Sequence, residues 1–483
     1  MYFAPAFHTL GSVLLAFAAT MVLPALVAFG YGEMDQGWTF LGSLGLTVFA
    51  GGALIIATQG ERPLPRRREI FLMALLIWLL VPAFGALPFY FIGVVPGITD
   101  AYFEAVSGFT TTGATVLSQL DIIERSVLLW RALLQWLGGL SAVLLAMVVL
   151  TPYDAGGMQL FRSAVPHGER LSGPNHLRQA LATMWWVYVG LTALCAALLW
   201  AVEMPAFDAV CHALSTLSTG GFSTRDGSLA AFANPLAEAV IAVFMLVGAI
   251  NFTLHWAVLS GRGSGALRQD PELPPLLILA AVAALAIVAA LMLGGSHGPL
   301  PALRHGLFAT LSMLTTTGYY SQAPVNWPLF VPLLLILLVL LGGCSGSSAG
   351  GLKIFRGFLL LKLGQRELAR LSHPHGVVPV AYGGHVIDDG AKLAIWSFFF
   401  TYLFGLALLS LLLAGLGLEM ADATTAAAAA LANAGPALAL LPGAALYESM
   451  PDAVKWVLLA GMLLGRLEFF VIFVLASPRH WRD

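Results

Sequence analysis

Charged residues are scarce in this chain: Asp, Glu, Lys and Arg together make up 10% of 483 residues, against 59% hydrophobic. That leaves too little polar surface to solvate a protein of this size in water, which excludes an ordinary soluble domain. The net charge is −2, with no basic tract of the kind that binds nucleic acid. Cysteine is nearly lacking. Cys195, Cys211 and Cys344 stand far apart in apolar or glycine-rich surroundings, so they read as small buried residues and not as metal ligands. Also missing are the clustered acids, metal sets and activated nucleophiles that a membrane-embedded enzyme needs, so no enzyme is expected. His373 and His375 have no further ligands clustered nearby, and no transition-metal site is expected. No basic segment precedes the first apolar stretch, which reads as a retained helix and not a cleaved signal.

What the chain has in abundance is apolar length. A spanning helix needs about 20 mostly apolar residues. Ten segments qualify: 9–30, 37–58, 70–94, 126–150, 180–202, 234–259, 273–294, 328–362, 391–417 and 452–476. Basic residues collect in alternate loops. Arg62, Arg66, Arg67 and Arg68 follow the second segment, Arg162, Arg170 and Arg178 the fourth, and Arg262 and Arg268 the sixth. Lys353, Arg356, Lys362, Arg366 and Arg370 follow a break in the eighth, and Arg479 and Arg482 end the chain. This bias places those loops and both termini in the cytoplasm. The opposite connections carry Asp100, Glu104, Asp121 and Glu124, then Asp208 and Asp226, which would modestly enrich cations at an outer mouth. Arg131 and Lys455 lie close enough to that outer boundary to snorkel and are assigned no chemistry.

Each opposite connection contains a short polar or small-residue segment. They read Thr110-Thr111-Thr112-Gly113-Ala114, Ser218-Thr219-Gly220-Gly221-Phe222, Thr315-Thr316-Thr317-Gly318-Tyr319 and Asn433-Ala434-Gly435-Pro436-Ala437. Gly113, Gly220, Gly318 and Gly435 are separated by 107, 98 and 117 residues, so a unit of roughly one hundred residues occurs four times. Four small, carbonyl-exposing segments brought to one axis are how a protein builds a cation selectivity filter. Each unit reads as helix, re-entrant half-helix, filter, helix, with half-helices near 100–111, 206–218, 303–316 and 420–433. A helix ending at the filter points the negative end of its dipole, about half an elementary charge, at the axis. Glycine permits the backbone conformations and the close approach that four converging strands require. Non-helical backbone at that depth is tolerated only where protein or a water-filled cavity surrounds it. The fold class is therefore an all-α polytopic membrane protein. Two N-terminal transmembrane helices (1–60) precede four helix–pore-loop–helix repeats in pseudo-fourfold arrangement around a central pore. The repeats fall at 61–150, 151–260, 261–362 and, with a cytoplasmic connection, 363–483.

These segments resemble the TrkH/KtrB family of bacterial potassium-uptake proteins, and its TrkH branch most closely. The resemblance runs through Phe103-Glu104-Ala105-Val106-Ser107-Gly108-Phe109 and the first filter, Gln135-Trp136-Leu137-Gly138-Gly139, and Gly156-Gly157-Met158-Gln159-Leu160. It continues through the second filter, Asn251-Phe252-Thr253-Leu254-His255, Gly342-Gly343-Cys344-Ser345-Gly346-Ser347-Ser348-Ala349-Gly350-Gly351-Leu352-Lys353, Arg366-Glu367-Leu368-Ala369-Arg370-Leu371-Ser372-His373-Pro374 and Gly465-Arg466-Leu467-Glu468. One departure is Ala164, near which the family has a glutamate. The resemblance implies a potassium-translocating homodimer in the bacterial inner membrane, one pore per subunit. It also implies a TrkA-type cytoplasmic ring that carries the nucleotide, so this chain itself binds potassium and no cofactor. The potassium-binding filter residues are then Thr111, Thr112, Gly113 and Ala114; Ser218, Thr219, Gly220 and Gly221; Thr316, Thr317, Gly318 and Tyr319; and Asn433, Ala434, Gly435 and Pro436. In plant and fungal relatives, serine at the first filter glycine accompanies sodium selectivity; glycine at all four positions favours potassium.

The small-residue run 342–351 cannot hold an isolated helix, since each glycine costs about 1 kcal/mol relative to alanine. It reads either as a packing kink or, by the resemblance, as an intramembrane gate of Gly342, Gly343, Ser345, Gly346, Ser347, Ser348, Ala349, Gly350 and Gly351. Arg466 joins that gate. A charge so deep in the last span costs about 2.5–3.5 kcal/mol at the bilayer centre, which excludes lipid exposure. It is either a structural ion pair or part of the permeation path, hydrogen-bonding carbonyls freed by the 342–351 interruption. Glu468, two residues away on another face, is poorly placed as its partner. The longest basic connection, 353–390, is the expected docking surface for the ring, although Lys362, Arg366 and Arg370 also read as plain positive-inside charge. Asn251 and His255, one turn apart, either line the inner cavity or join helices. The alternatives to a passive potassium pore are a proton- or sodium-coupled symporter, with only Glu468 and His255 as relay candidates, and a less selective potassium/sodium channel.

Overall fold

The computed structural model describes residues 4–60, 67–146, 174–259, 264–295, 297–324, 327–373, 376, 378–441, 443 and 446–476. The 156–160 motif, Ala164, His375 and the basic residues Arg62, Arg66, Arg162, Arg170, Arg262, Arg479 and Arg482 lie outside the described residues. The described chain is almost wholly helical, with one two-stranded sheet, β1 (Ala381–Tyr382) antiparallel to β2 (His385–Val386).

The first pair comprises α1 (Ala4–Thr20), continued by α2 (Val22–Tyr31), and α3 (Met34–Ala57). Repeat 1 follows as α4 (Arg67–Gly85), α5 (Leu87–Ile92), the half-helix α6 (Ile98–Phe109) and α7 (Arg125–Leu145). Repeat 2 has α8 (Pro174–Ala201), the half-helix α9 (Ala206–Leu217), α10 (Pro235–Ala249) and α11 (Phe252–Ala257). After a short α12 (Ser264–Gln269), repeat 3 has α13 (Leu273–Leu293), the half-helix α14 (Pro299–Leu314) and α15 (Phe330–Leu341). The helix α16 (Ile354–Ser372) and the sheet lead into repeat 4, which has α17 (Asp389–Gly415), the half-helix α18 (Met420–Leu431), α19 (Asp452–Arg466) and α20 (Phe470–Ala476). The half-helices lie within a few residues of their expected ranges.

Among the described residues seven helices are long and apolar enough to cross a membrane, not ten. The segments 234–259, 328–362 and 452–476 are each interrupted, and each is the outgoing helix of repeat 2, 3 or 4. The causes are local. Asn251 turns out of the helix line and its side chain caps α11 by accepting from Thr253 N–H. Gly342 has φ 71°, ending α15. Glu468 and Phe469 have φ 54° and 52°, a left-handed pair that separates α19 from α20. Outward faces are apolar, as with Val282 and Leu285 on α13, which suits lipid contact. Inside, the core clusters around repeat 2, repeat 3, and repeats 1 and 4 with the N-terminal helices.

Candidate pore and its closing loop

The four half-helices end in one conformation. After the last helical turn a residue adopts left-handed φ: Thr111 at 55°, Thr219 at 53°, Thr316 at 59° and Asn433 at 52°. The next residue's amide reaches back to the carbonyl five positions earlier: Thr112 to Ser107 at 2.8 Å, Gly220 to Ser215 at 2.9 Å, Thr317 to Ser312 at 2.9 Å and Ala434 to Ala429 at 2.8 Å. Four chemically different sequences thus share one turn, the backbone signature of the repeat.

This alignment corrects one register. Gly220 is equivalent to Thr112, Thr317 and Ala434, while the counterpart of Gly113 and Gly318 is Gly221, with φ 79° against 78° and 87°. The fourth glycine, Gly435, instead opens a 3-10 turn, Gly435–Leu440. The glycines explain how closely the segments meet. A Cβ at Gly113 would collide with Gly220 O, at Gly221 with Thr317 O, at Gly318 with the Pro436 ring, and at Gly435 with Ala114 N. Each repeat therefore abuts the next, and the fourth returns to the first. Gly435 N–H also donates to Thr112 O at 2.6 Å, closing the ring.

Side chains behind the ring hold it. Gln135 Nε2 donates to Gly220 O, Tyr319 Oη donates to Phe222 O, and Tyr447 Oη donates to Gly435 O. Arg131 does not snorkel: it is buried in an ion pair with Glu104 at 2.7 Å and donates to Ser223 O. Lys455 is likewise buried, against Asp100 at 2.6 Å, which joins α19 to α6. Asp100 and Glu104 are thus not free acids of an outer mouth. A buried charge must be paired, and these two carboxylates are the partners of two buried cations. Asp121 remains exposed and pairs with Arg225 at 3.0 Å.

Residues 342–353 wrap against the left-handed ends of the filter segments. Ser348 Oγ donates to Leu217 O and Gly248 O and accepts from Thr219 Oγ1; Gly350 N–H donates to Thr316 Oγ1 at 2.8 Å. A Cβ at Gly350 would collide with Ala432 O, so the loop also touches repeat 4. The remaining segment is met by Arg466, whose Nη2 donates to Thr111 Oγ1 at 2.9 Å. Arg466 thus bonds a threonine hydroxyl, not the freed carbonyls expected of it, and its Nε has no hydrogen-bond partner among the described residues. Ala142, Ala146, Gly350, Lys353, Arg466 and Glu468 line a cavity beside this contact. Lys353 Nζ donates to Ala349 O within the loop, and Glu468 pairs with Arg356 at 2.5 Å. Glu468 is therefore engaged elsewhere than with Arg466.

One group outside the expected set holds the loop. Glu272, buried at the start of α13, accepts from Ser345 N–H at 2.7 Å and from Tyr382 Oη at 2.9 Å. Burial pushes its carboxyl up to about 7, against the opposing pull of the Ser345 amide. Asn251 and His255 make local contacts: Asn251 caps α11 at the break, and His255 Nε2–H donates to Val247 O across it at 2.9 Å. No cluster of metal-binding side chains occurs among the described residues.

The profile of the TrkH family, described as a cation transport protein, matches residues 44–482. The Trk system potassium uptake protein TrkH of Salmonella typhimurium is 37% identical over 495 residues, covering 100% of both chains. The Trk system potassium uptake protein TrkG of Escherichia coli K12 is 32% identical, covering 99% of this chain and 98% of its own. The crystal structure of the potassium transporter TrkH from Vibrio parahaemolyticus superimposes with a TM-score of 0.93 at 34% identity, covering 100% of both chains. Fourfold turns, closed ring and full-length similarity agree, and the chain belongs to the TrkH family of cation transport proteins.

Proposed function

We propose that this chain takes up potassium across the bacterial inner membrane by passive conduction through the ring of four filter segments. The observation that carries the reading is the closed succession of contacts in which each filter glycine meets the next repeat's segment. Only backbone and small side chains fit there, and backbone carbonyls replace a cation's hydration shell. Similarity to potassium uptake proteins along the full chain supports potassium as the cargo. The segment around 111–114, 218–221, 316–319 and 433–436 is the binding site, the repeats divide at the boundaries given above, and both termini lie in the cytoplasm.

The 342–351 loop and Arg466 form the gate. Together they contact the inner ends of all four filter segments, and Arg466 adds a cation's repulsion there. A TrkA-type nucleotide-binding ring docks on 353–390 of a homodimer. The α16 helix continues directly from the loop and exposes Arg370, Leu368 and Leu371, giving a partner both charge and apolar surface. Coupling to protons is disfavoured because both relay candidates are tied up, His255 by Val247 O and Glu468 by Arg356. The test is current through purified protein in planar bilayers under potassium and sodium gradients, with and without the regulatory ring. Ring-dependent, potassium-selective current supports the proposal; equal potassium and sodium permeability refutes it.

A further inference from the structure

Gly220 poses a problem that the pore alone does not solve. Its equivalents Thr112, Thr317 and Ala434 all carry side chains, so the shared turn does not require glycine there. Its φ is not left-handed either. What occupies the space of the missing Cβ is the carboxamide of Gln135, a fully buried residue of α7 in repeat 1. That carboxamide makes three bonds to repeat 2. Nε2–H donates to Gly220 O at 2.7 Å, while Oε1 accepts from Phe222 N–H at 3.1 Å and from Ser215 Oγ–H at 2.5 Å. One side chain thus grips the end of α9 and the backbone on both sides of Gly221. A carboxamide is the group that offers donor and acceptor together at that spacing.

We infer that Gln135 is a positioning residue for ion selectivity, holding the second filter segment from the neighbouring repeat, and that Gly220 is glycine to admit it. The inference rests on the filter reading above. Gly220 O is the atom that a Cβ at Gly113 would strike, so it lies where repeats 1 and 2 meet in the ring. An N–H held on that carbonyl fixes its orientation. Without it, the carbonyl turns to whatever partner it finds, and the cage loses its fixed radius. One turn earlier on the same helix face, Arg131 Nη1 donates to Ser223 O, so α7 holds residues 220, 222 and 223 together. Among the described residues the other three segments are held differently: Asn433 Nδ2 donates to the Thr112 hydroxyl, Ser312 Oγ donates to Tyr319 O and Tyr447 Oη donates to Gly435 O.

The test is the potassium-to-sodium permeability ratio, read from reversal potentials of purified, monodisperse protein. Gln135→Glu is isosteric and keeps the acceptor for Ser215 and Phe222, but it sets a carboxylate oxygen against Gly220 O. Gln135→Leu removes both functions. Each variant should lower the ratio about fivefold or more, the size of effect that losing one buried hydrogen bond produces. A purely structural role would lower the yield of folded protein and leave the ratio alone. A second measurement concerns Gly220→Ala. Alone, it should displace Gln135 and lower the ratio. Combined with Gln135→Ala, which vacates the space, it should be no worse than Gln135→Ala by itself. Folded Gln135 variants with the parental ratio, or additive losses in the double variant, would overturn the inference. Gly113→Ser, measured alongside, separates the two failures. If it changes the ratio while Gln135 variants do not, the filter stands and the positioning role falls. If neither changes it, the filter reading itself falls, and this inference with it.

Discussion

Arg466 makes the sharpest demand on the account at the scale of single residues. Its guanidinium is buried and bonds Thr111 at the left-handed turn of the first segment, and no carboxylate lies within ion-pair distance among the described residues. Under the proposed function, a cation held there opposes the passage of another. Arg466→Ala should therefore raise basal potassium flux into proteoliposomes holding equal amounts of folded protein, with selectivity unchanged. Flux that stays level or falls in a well-folded variant would reassign Arg466 to structure. The filter glycines predict differently. Gly113→Ser and Gly221→Ser should weaken discrimination against sodium or abolish conduction, because a side chain there meets the neighbouring segment's backbone. That Gly221 and not Gly220 aligns with Gly113 was hidden in the sequence, where Gly220 and Gly221 are adjacent and either fits the spacing. Only φ and the amide bond five residues back separate them. The burial of Arg131 and Lys455 was hidden for a related reason. Their partners, Glu104 and Asp100, lie 27 and 355 residues away in sequence, beyond the reach of local pattern.

Among the elements, the outgoing helices of repeats 2, 3 and 4 are all broken where they pass the left-handed ends of the filter segments. The break in repeat 3 was legible because a run of glycine and serine cannot stay helical. The break in repeat 4 was not, since its left-handed residues are Glu468 and Phe469, types that ordinarily avoid positive φ. The 342–353 loop binds the ring through serine and backbone groups, so a deletion within 345–349 should raise basal flux without changing selectivity. Glu272 gives that loop a second hold, which no motif announced. Its carboxylate faces Ser345 N–H and Tyr382 Oη, with Asp270, Cys344 and Lys353 as the neighbouring titratable groups. A carboxyl raised to about 7 is charged above that pH and neutral below it. The hydrogen bonds to its charged form are the stronger ones. Lowering pH from about 8 to about 6 should therefore loosen the loop and raise basal flux, while Glu272→Gln should be leaky throughout and lose the pH response. A Gln variant that keeps the parental pH profile would remove Glu272 from the gate. Neutralising Arg366 and Arg370 together on α16 should weaken ring binding or its effect on flux while basal permeability persists. Unchanged binding and nucleotide response would dissociate α16 from regulation.

The whole molecule is built around a ring of four units that share one turn but are braced by different side chains. The fourfold period, the half-helices and the two extra N-terminal helices follow from apolar length, glycine spacing and alternating basic loops, all local properties. The cross-repeat braces do not. Gln135 to Gly220, Lys455 to Asp100 and Arg304 to Glu238 each join one repeat to another. Such contacts depend on a closure around the axis that no single segment encodes. The same closure is what the proposed function stands on, because a complete ring would let a cation pass without moving its repeats and without a proton relay. The most direct test is the reversal potential of the purified protein in a planar bilayer. It should be measured under a potassium gradient, with sodium on both sides and no proton gradient. The account predicts current in either direction, reversing near the potassium equilibrium potential and unaccompanied by proton flux. Current that disappears without a proton gradient, or reverses midway between the potassium and sodium potentials, would contradict it.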